Sequence, residues 1–235
     1  MPKHVIKSDR NISWIVNKDG HTWILEKQAA ITVASGDAVV IDTGFDDNRL
    51  KLFGDIVASG SSASAIAVDG DGTTIRLGGK ASLGAEMAIS GTGDNTRVVN
   101  DGTISGDTVG IAQNAHFSAV NHGKISGGYG ISVAQADKIL NAGDGVISGT
   151  SAGILLFGDE DSMIVNKGRI TSTIGAAITD GDGNVTIRNT GRIVGDVVLG
   201  NGHNLFDTRG GTVAGIVAGG DGHDTYYVSN VDIQI

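Results

Sequence analysis

Val98-Val99-Asn100-Asp101-Gly102-Thr103-Ile104-Ser105-Gly106 decides the reading, because the chain writes it repeatedly. It returns as Ala119-Val120-Asn121-His122-Gly123-Lys124-Ile125-Ser126-Gly127. With two residues inserted it returns as Ile139-Leu140-Asn141-Ala142-Gly143-Asp144-Gly145-Val146-Ile147-Ser148-Gly149. Further copies begin at Ile164-Val165-Asn166 and Ile187-Arg188-Asn189, so the asparagines fall 21, 20, 25 and 23 residues apart. A period of this size, written in Gly, Asn, Thr, Val and Ile, marks a solenoid whose units pack only on their neighbours.

Alternation inside each copy separates two faces of a strand. Ile104, Ile125, Ile147, Ile170, Ile193 and Val213 form one inward column. Ile111, Ile131, Ile154 and Ile178 form a second, each preceded by Gly or Ala. The asparagine column sits where the chain must turn, and stacked side-chain amides can hydrogen-bond from one unit to the next. The pattern weakens upstream but persists in Arg49–Val57 and Thr74–Ala81, and an earlier unit starts near Trp23.

The expected fold is all-β: a right-handed, single-stranded parallel β-helix of about nine coils over residues 23–235. Right-handed winding follows the crossover preference of parallel strands. Residues 1–22 do not fit the repeat and are expected to cap the N-terminal end, where a solenoid otherwise leaves apolar surface and unpaired strand edges. Val231-Asp232-Ile233 reads as a further strand, so end-to-end self-association is a candidate property.

Composition narrows the partners. The 235 residues include 38 Gly, one Pro and no Cys, with 40% hydrophobic and 4% aromatic residues and a net charge of −9. A core of stacked aliphatic side chains suits that composition. The negative charge argues against nucleic acid as the main partner. No apolar run reaches the ~18 residues of a membrane span, so no membrane insertion is expected. Met1–Arg10 carries no apolar h-region of a Sec signal.

The turns are acidic: Asp46-Asp47-Asn48, Asp69-Gly70-Asp71-Gly72, Asp94-Asn95, Asp159-Glu160-Asp161 and Asp180-Gly181-Asp182-Gly183-Asn184. Stacked in register, they would place carboxylates about 4.8 Å apart along one edge. Such a column repels itself unless solvent or cations separate the charges, and carboxylates with carbonyl oxygens are ligands that Ca²⁺ prefers.

One turn is more specific. Gly219-Gly220-Asp221-Gly222-His223-Asp224-Thr225-Tyr226-Tyr227 resembles the calcium-binding nonapeptide G-G-x-G-x-D-x-U-x of the RTX (hemolysin-type) family. Leu199-Gly200-Asn201-Gly202-His203-Asn204 is a degraded copy, so RTX-like turns span 199–227. The resemblance implies Ca²⁺ bound by Asp182, Asn201, Gly219, Asp221, Gly222 and Asp224, in a protein secreted by the type I route. This chain departs from that family in spacing its copies twenty residues apart rather than nine. The Asn-x-Gly-x-Ile coils are similar to β-helical passengers of bacterial surface adhesins.

Other constellations remain. His203 and His223 occupy matching positions and could stack, with Asp207 and Asp224 nearby. Lys124, Arg169 and Arg192 form an outward basic column, suited either to solvent or to an acidic polysaccharide. Asp101, Asp107, Lys124, Asp144, Lys167 and Arg169 could be neighbours across coils. The functional expectation is a non-catalytic, exported structural or adhesive module, secreted or on a cell surface, with calcium and a cell-surface glycan as candidate partners. The rival is a polysaccharide lyase or glycoside hydrolase on the same scaffold, which would need converging acids in a groove.

Overall fold

A computed structural model of the chain describes residues 1–229. The strand expected at Val231–Ile233 lies outside them. The described chain is all-β without helix, wound as a right-handed parallel β-solenoid of about ten turns. Every coil-to-coil pairing is parallel.

Each coil lays down three strand segments, one per face. The first face runs from Lys3–Ile6 through Thr22–Leu25, Arg49–Leu52, Thr74–Leu77 and Thr96–Asn100 to Ser162–Asn166, Val185–Asn189, Leu205–Asp207 and Thr225–Tyr227. The second includes Ile31–Val33, Ile56–Ala58, Arg169–Ser172 and Arg192–Val194. The third includes Trp14–Val16, Val39–Ile41, Ser64–Val68 and Ile178–Asp180. In mid-rod the strands run unbroken round the corners, as in Thr103–Asn121 and Lys124–Asn141. At these corners the ladder is interrupted and resumes with a shifted register, as between Ser105 and Val109.

The inward columns are continuous. On the second face Ile104, Ile125, Ile147, Ile170 and Ile193 stand in register and are fully buried, with Val213 next. On the third face Ile66, Ile89, Ile111, Ile131, Ile154 and Ile178 do the same. Burying each such side chain stabilises the fold by about 1.5–3 kcal/mol, so the stacked aliphatic files are the main cohesive force. β-branched residues suit this role because one side-chain rotamer packs on its twin in the next coil.

The cap expected at residues 1–22 is itself a coil. Lys3–Ile6 pairs with Thr22–Leu25, Arg10 bridges Ile31, and Trp14–Val16 pairs with Val39–Ile41. The count is therefore about ten rather than nine. Large rings gather at this terminal coil. His4 stacks on Trp23 with centroids 4.0 Å apart, and Trp14 meets Trp23 edge-on at 5.6 Å. The Trp23 indole N–H donates to Asn48 Oδ1 at 2.9 Å, satisfying the ring's polar end inside the wall.

The asparagine column forms a ladder. Asn100 Nδ2 donates to Asn121 Oδ1 at 2.8 Å, and the relay continues through Asn141, Asn166 and Asn189 at 2.9, 2.8 and 2.8 Å. Asn189 passes it to Thr208 Oγ1 at 2.9 Å. Each amide also donates to a second-face carbonyl of the next coil, such as Asn141 to Arg169 O at 3.1 Å. Above Asn100 the same file holds Leu77, Leu52, Leu25 and Ile6. The wall thus changes from aliphatic to amide packing without a change of fold.

Candidate functional site

The RTX-like end separates its expected calcium ligands into two files. Asp182, Asn201 and Asp221 share one. There Asn201 Nδ2 donates to Asp182 Oδ1 at 2.6 Å, and Gly202 N donates to Asp221 O at 2.8 Å. Asn204 and Asp224 share another, in which Asn204 N donates to Asp224 Oδ1 at 3.0 Å. One coil earlier Val185 N donates to Asn204 Oδ1 at 2.8 Å, so an amide does the same work there as the carboxylate. Tyr226 hydrogen-bonds Asp224 from the inward side, and burial beside that carboxylate pushes its phenol pKa up.

Gly219 completes the arrangement: any Cβ there would collide with the Asp224 carboxylate and the Tyr226 hydroxyl. Gly222 pairs with Gly202 as a left-handed turn residue, φ 126°. The expected ligands thus fall into two files rather than one cluster. Asp182 and Asp221 have Asn201 between them, and Asp224 is engaged by an amide and a phenol. Among the described residues no group of three or more His, Asp or Glu is placed to hold a metal ion.

Copies twenty residues apart lie in adjacent coils, so like positions stack one beneath the other. His203 and His223 show it plainly, lying parallel at 5.5 Å and 9°.

The acidic edge is likewise committed to the wall. Asp46 N donates to Asp19 Oδ1, Asp71 N to Asp46 Oδ1, Asp94 N to Asp71 Oδ1 and His116 N to Asp94 Oδ1, at 2.7–3.2 Å. Each of these carboxylates thus anchors the backbone of the next coil. Asp9, Asp37, Asp55, Asp69 and Asp196 accept next-coil amides in the same way. His116 Nδ1 lies 3.1 Å from Asp137 Oδ1, and that hydrogen bond raises the exposed imidazole's pKa.

Of the residues considered for catalysis, Asp101 pairs with Arg76 at 3.1 Å and His122 at 3.0 Å. Lys124 and Arg169 lie in a separate outward file on the second face, two coils apart and exposed. They do not converge on Asp101.

Two features escaped sequence reading. Asp180 is 4% exposed and occupies the inward file that holds Leu156 in the preceding coil. Burial pushes its carboxyl up to about 7. Its place in an acidic turn, Asp180-Gly181-Asp182, hid the inward parity that Ile178 already implied. Gln113 is buried in the same file three coils earlier, and neither polar atom of its side chain has a hydrogen-bond partner.

Comparison of the chain with family models, curated proteins and solved structures finds no match.

Proposed function

We propose that this chain is a non-catalytic structural or adhesive rod, a module of a protein exported to the cell surface or medium. The observation that carries the reading is where its polar side chains spend their hydrogen bonds. The Asn100–Asn189 file, the Asp19–Asp94 file and Asp224 all bond to the adjacent coil. Side chains so engaged set the register and stiffness of a rod, whereas a hydrolase or lyase needs an acid and a base aimed at a common point.

A rod of about ten coils, each adding about 4.8 Å, exposes three flat strips along its length. That geometry suits display of repeated side chains to an extended partner such as a surface glycan. The calcium contribution suggested by the RTX-like turn is not part of this proposal, because its ligands fall into two engaged files.

The test is incubation of the chain with neutral and acidic polysaccharides, followed by measurement of new reducing or unsaturated ends. The expected result is no release above a heat-unfolded control. Turnover would transfer the reading to the enzyme class.

A further inference from the structure

Arg169 and Arg192 stand directly opposite each other on adjacent strands of the second face, both outward and both exposed. Like charges in register oppose each other, so this pairing weakens the wall at a position where Thr or Val serves elsewhere. The same file holds Thr103, Lys124 and Val146 above and Thr212 below. Lys167 lies in the turn just before Arg169. Among the described residues no carboxylate oxygen comes within 4.0 Å of Lys124, Lys167, Arg169 or Arg192. Asp144, in the turn one coil above Lys167, is the acidic side chain of that corner. Two residues beyond the cationic file, Ser148 and Thr171 form a parallel outward file of hydroxyls.

We propose that this strip binds a linear acidic polysaccharide lying along the rod, with Arg169 and Arg192 gripping its carboxylate or sulfate groups. The inference deepens the adhesive reading above and rests on it. A guanidinium fork holds two oxygens of such an anion, and one anion placed between the two forks removes their mutual repulsion. Each coil advances about 4.8 Å, comparable with the rise of one sugar ring in an extended chain, so successive rings meet successive coils. Ser148 and Thr171 supply the donors and acceptors that ring hydroxyls require. The strip is flat and short-sided, which an extended flexible polymer can follow. The net charge of −9 disfavours a denser polyanion such as duplex nucleic acid, whose attraction depends on many phosphates at once.

The test uses the full chain with two probes, heparin and polygalacturonate, at low ionic strength, and measures the dissociation constant. Arg169→Ala with Arg192→Ala is compared with Arg49→Ala with Arg97→Ala, cations on the first face. The expected result is binding of at least one probe, weakened about ten-fold or more by the first pair and changed less than about two-fold by the second. Arg169→Lys with Arg192→Lys keeps the charge and removes the fork; it is expected to give an intermediate loss, and it carries the test if the alanine pair does not fold. Failure of the native chain to bind either probe would overturn the proposal, as would native-like binding by both Arg169/Arg192 pairs. Equal competition by duplex DNA at matched charge would also overturn it. Cleavage of a bound probe would instead overturn the non-catalytic reading and leave this surface standing.

Discussion

Asn141 Nδ2 lies 2.8 Å from Asn166 Oδ1, although 25 residues of chain separate them. That hydrogen bond and its four counterparts join coils of unequal length into one wall. The turns absorb the insertions, and the ladder keeps its register.

Replacing Asn141 by Ala should destabilise the fold sharply. It strands the Asn121 donor above and the Asn166 acceptor below in a fully buried file. An unsatisfied buried polar group costs about 1–3 kcal/mol, so the expected loss is about 3 kcal/mol by denaturant unfolding. A loss under ~0.5 kcal/mol would mean that the amides are not relayed.

Two glycines of neighbouring turns should respond in opposite ways. A Cβ on Gly168 would collide with Ala142 O and Gly145 O, whereas one on Gly143 meets nothing within 4 Å. Gly168→Ala is expected to cost about 2 kcal/mol or more, and Gly143→Ala to be nearly neutral. Equal effects on melting temperature would contradict the close approach of coils at this corner.

Stability should fall as pH rises between about 4 and about 7 through Asp180. The native state keeps a proton there that the unfolded chain has released, because burial raises the carboxyl's pKa to about 7. The contribution is whole below the ordinary carboxylate range and gone above the raised value. Asp180→Asn removes this titration and should gain about 2–4 kcal/mol over the native chain at pH 8 relative to pH 4. Parallel pH profiles for the two proteins would show that the carboxyl is solvated.

Calcium and a chelator should leave the melting temperature unchanged. Asp224→Asn should be tolerated, since Asn204 already fills the equivalent position, while Asp224→Ala strands the Asn204 N–H and the Tyr226 hydroxyl at about 1–3 kcal/mol. A melting temperature that climbs with calcium concentration would reveal a native-state site that these two files do not supply.

Much of the rod was legible from Asn100 to Asn189, because Ile104 through Ile193 repeat the same parity and the same local turn. The first coil was not. Trp14 and Val39 stand in register on the third face, yet no shared word links Trp14-Ile15-Val16 to Val39-Val40-Ile41 beyond apolar alternation. The change from Leu77 to Asn100 within one file weakened the signal of the upstream coils, since packing accepts either residue while the repeated motif does not. The RTX-like turn was legible as a motif, but the stacking of its residues into two files was not. Ligand identity is local, but convergence depends on the period, and stacking sets Asp221 beneath Asn201 rather than opposite a partner. The inward place of Asp180 needed three-dimensional register to become visible, whereas the outward column of Arg169 and Arg192 was already legible.

The central claim is that successive units lie directly atop one another. Thr32, Val57, Gly84, Ser105, Ser126, Ser148 and Thr171 stand in one outward file, so Ser126 is four coils from Thr32 and Thr171 is six. The chain has no cysteine of its own, so spin labels can be placed singly in pairs at Thr32→Cys/Ser126→Cys and Thr32→Cys/Thr171→Cys. Pulsed dipolar distances should be about 19 Å and about 29 Å, rising by about 4.8 Å per coil. Equal distances for the two pairs, or a shorter one for Thr171, would contradict the stacked rod.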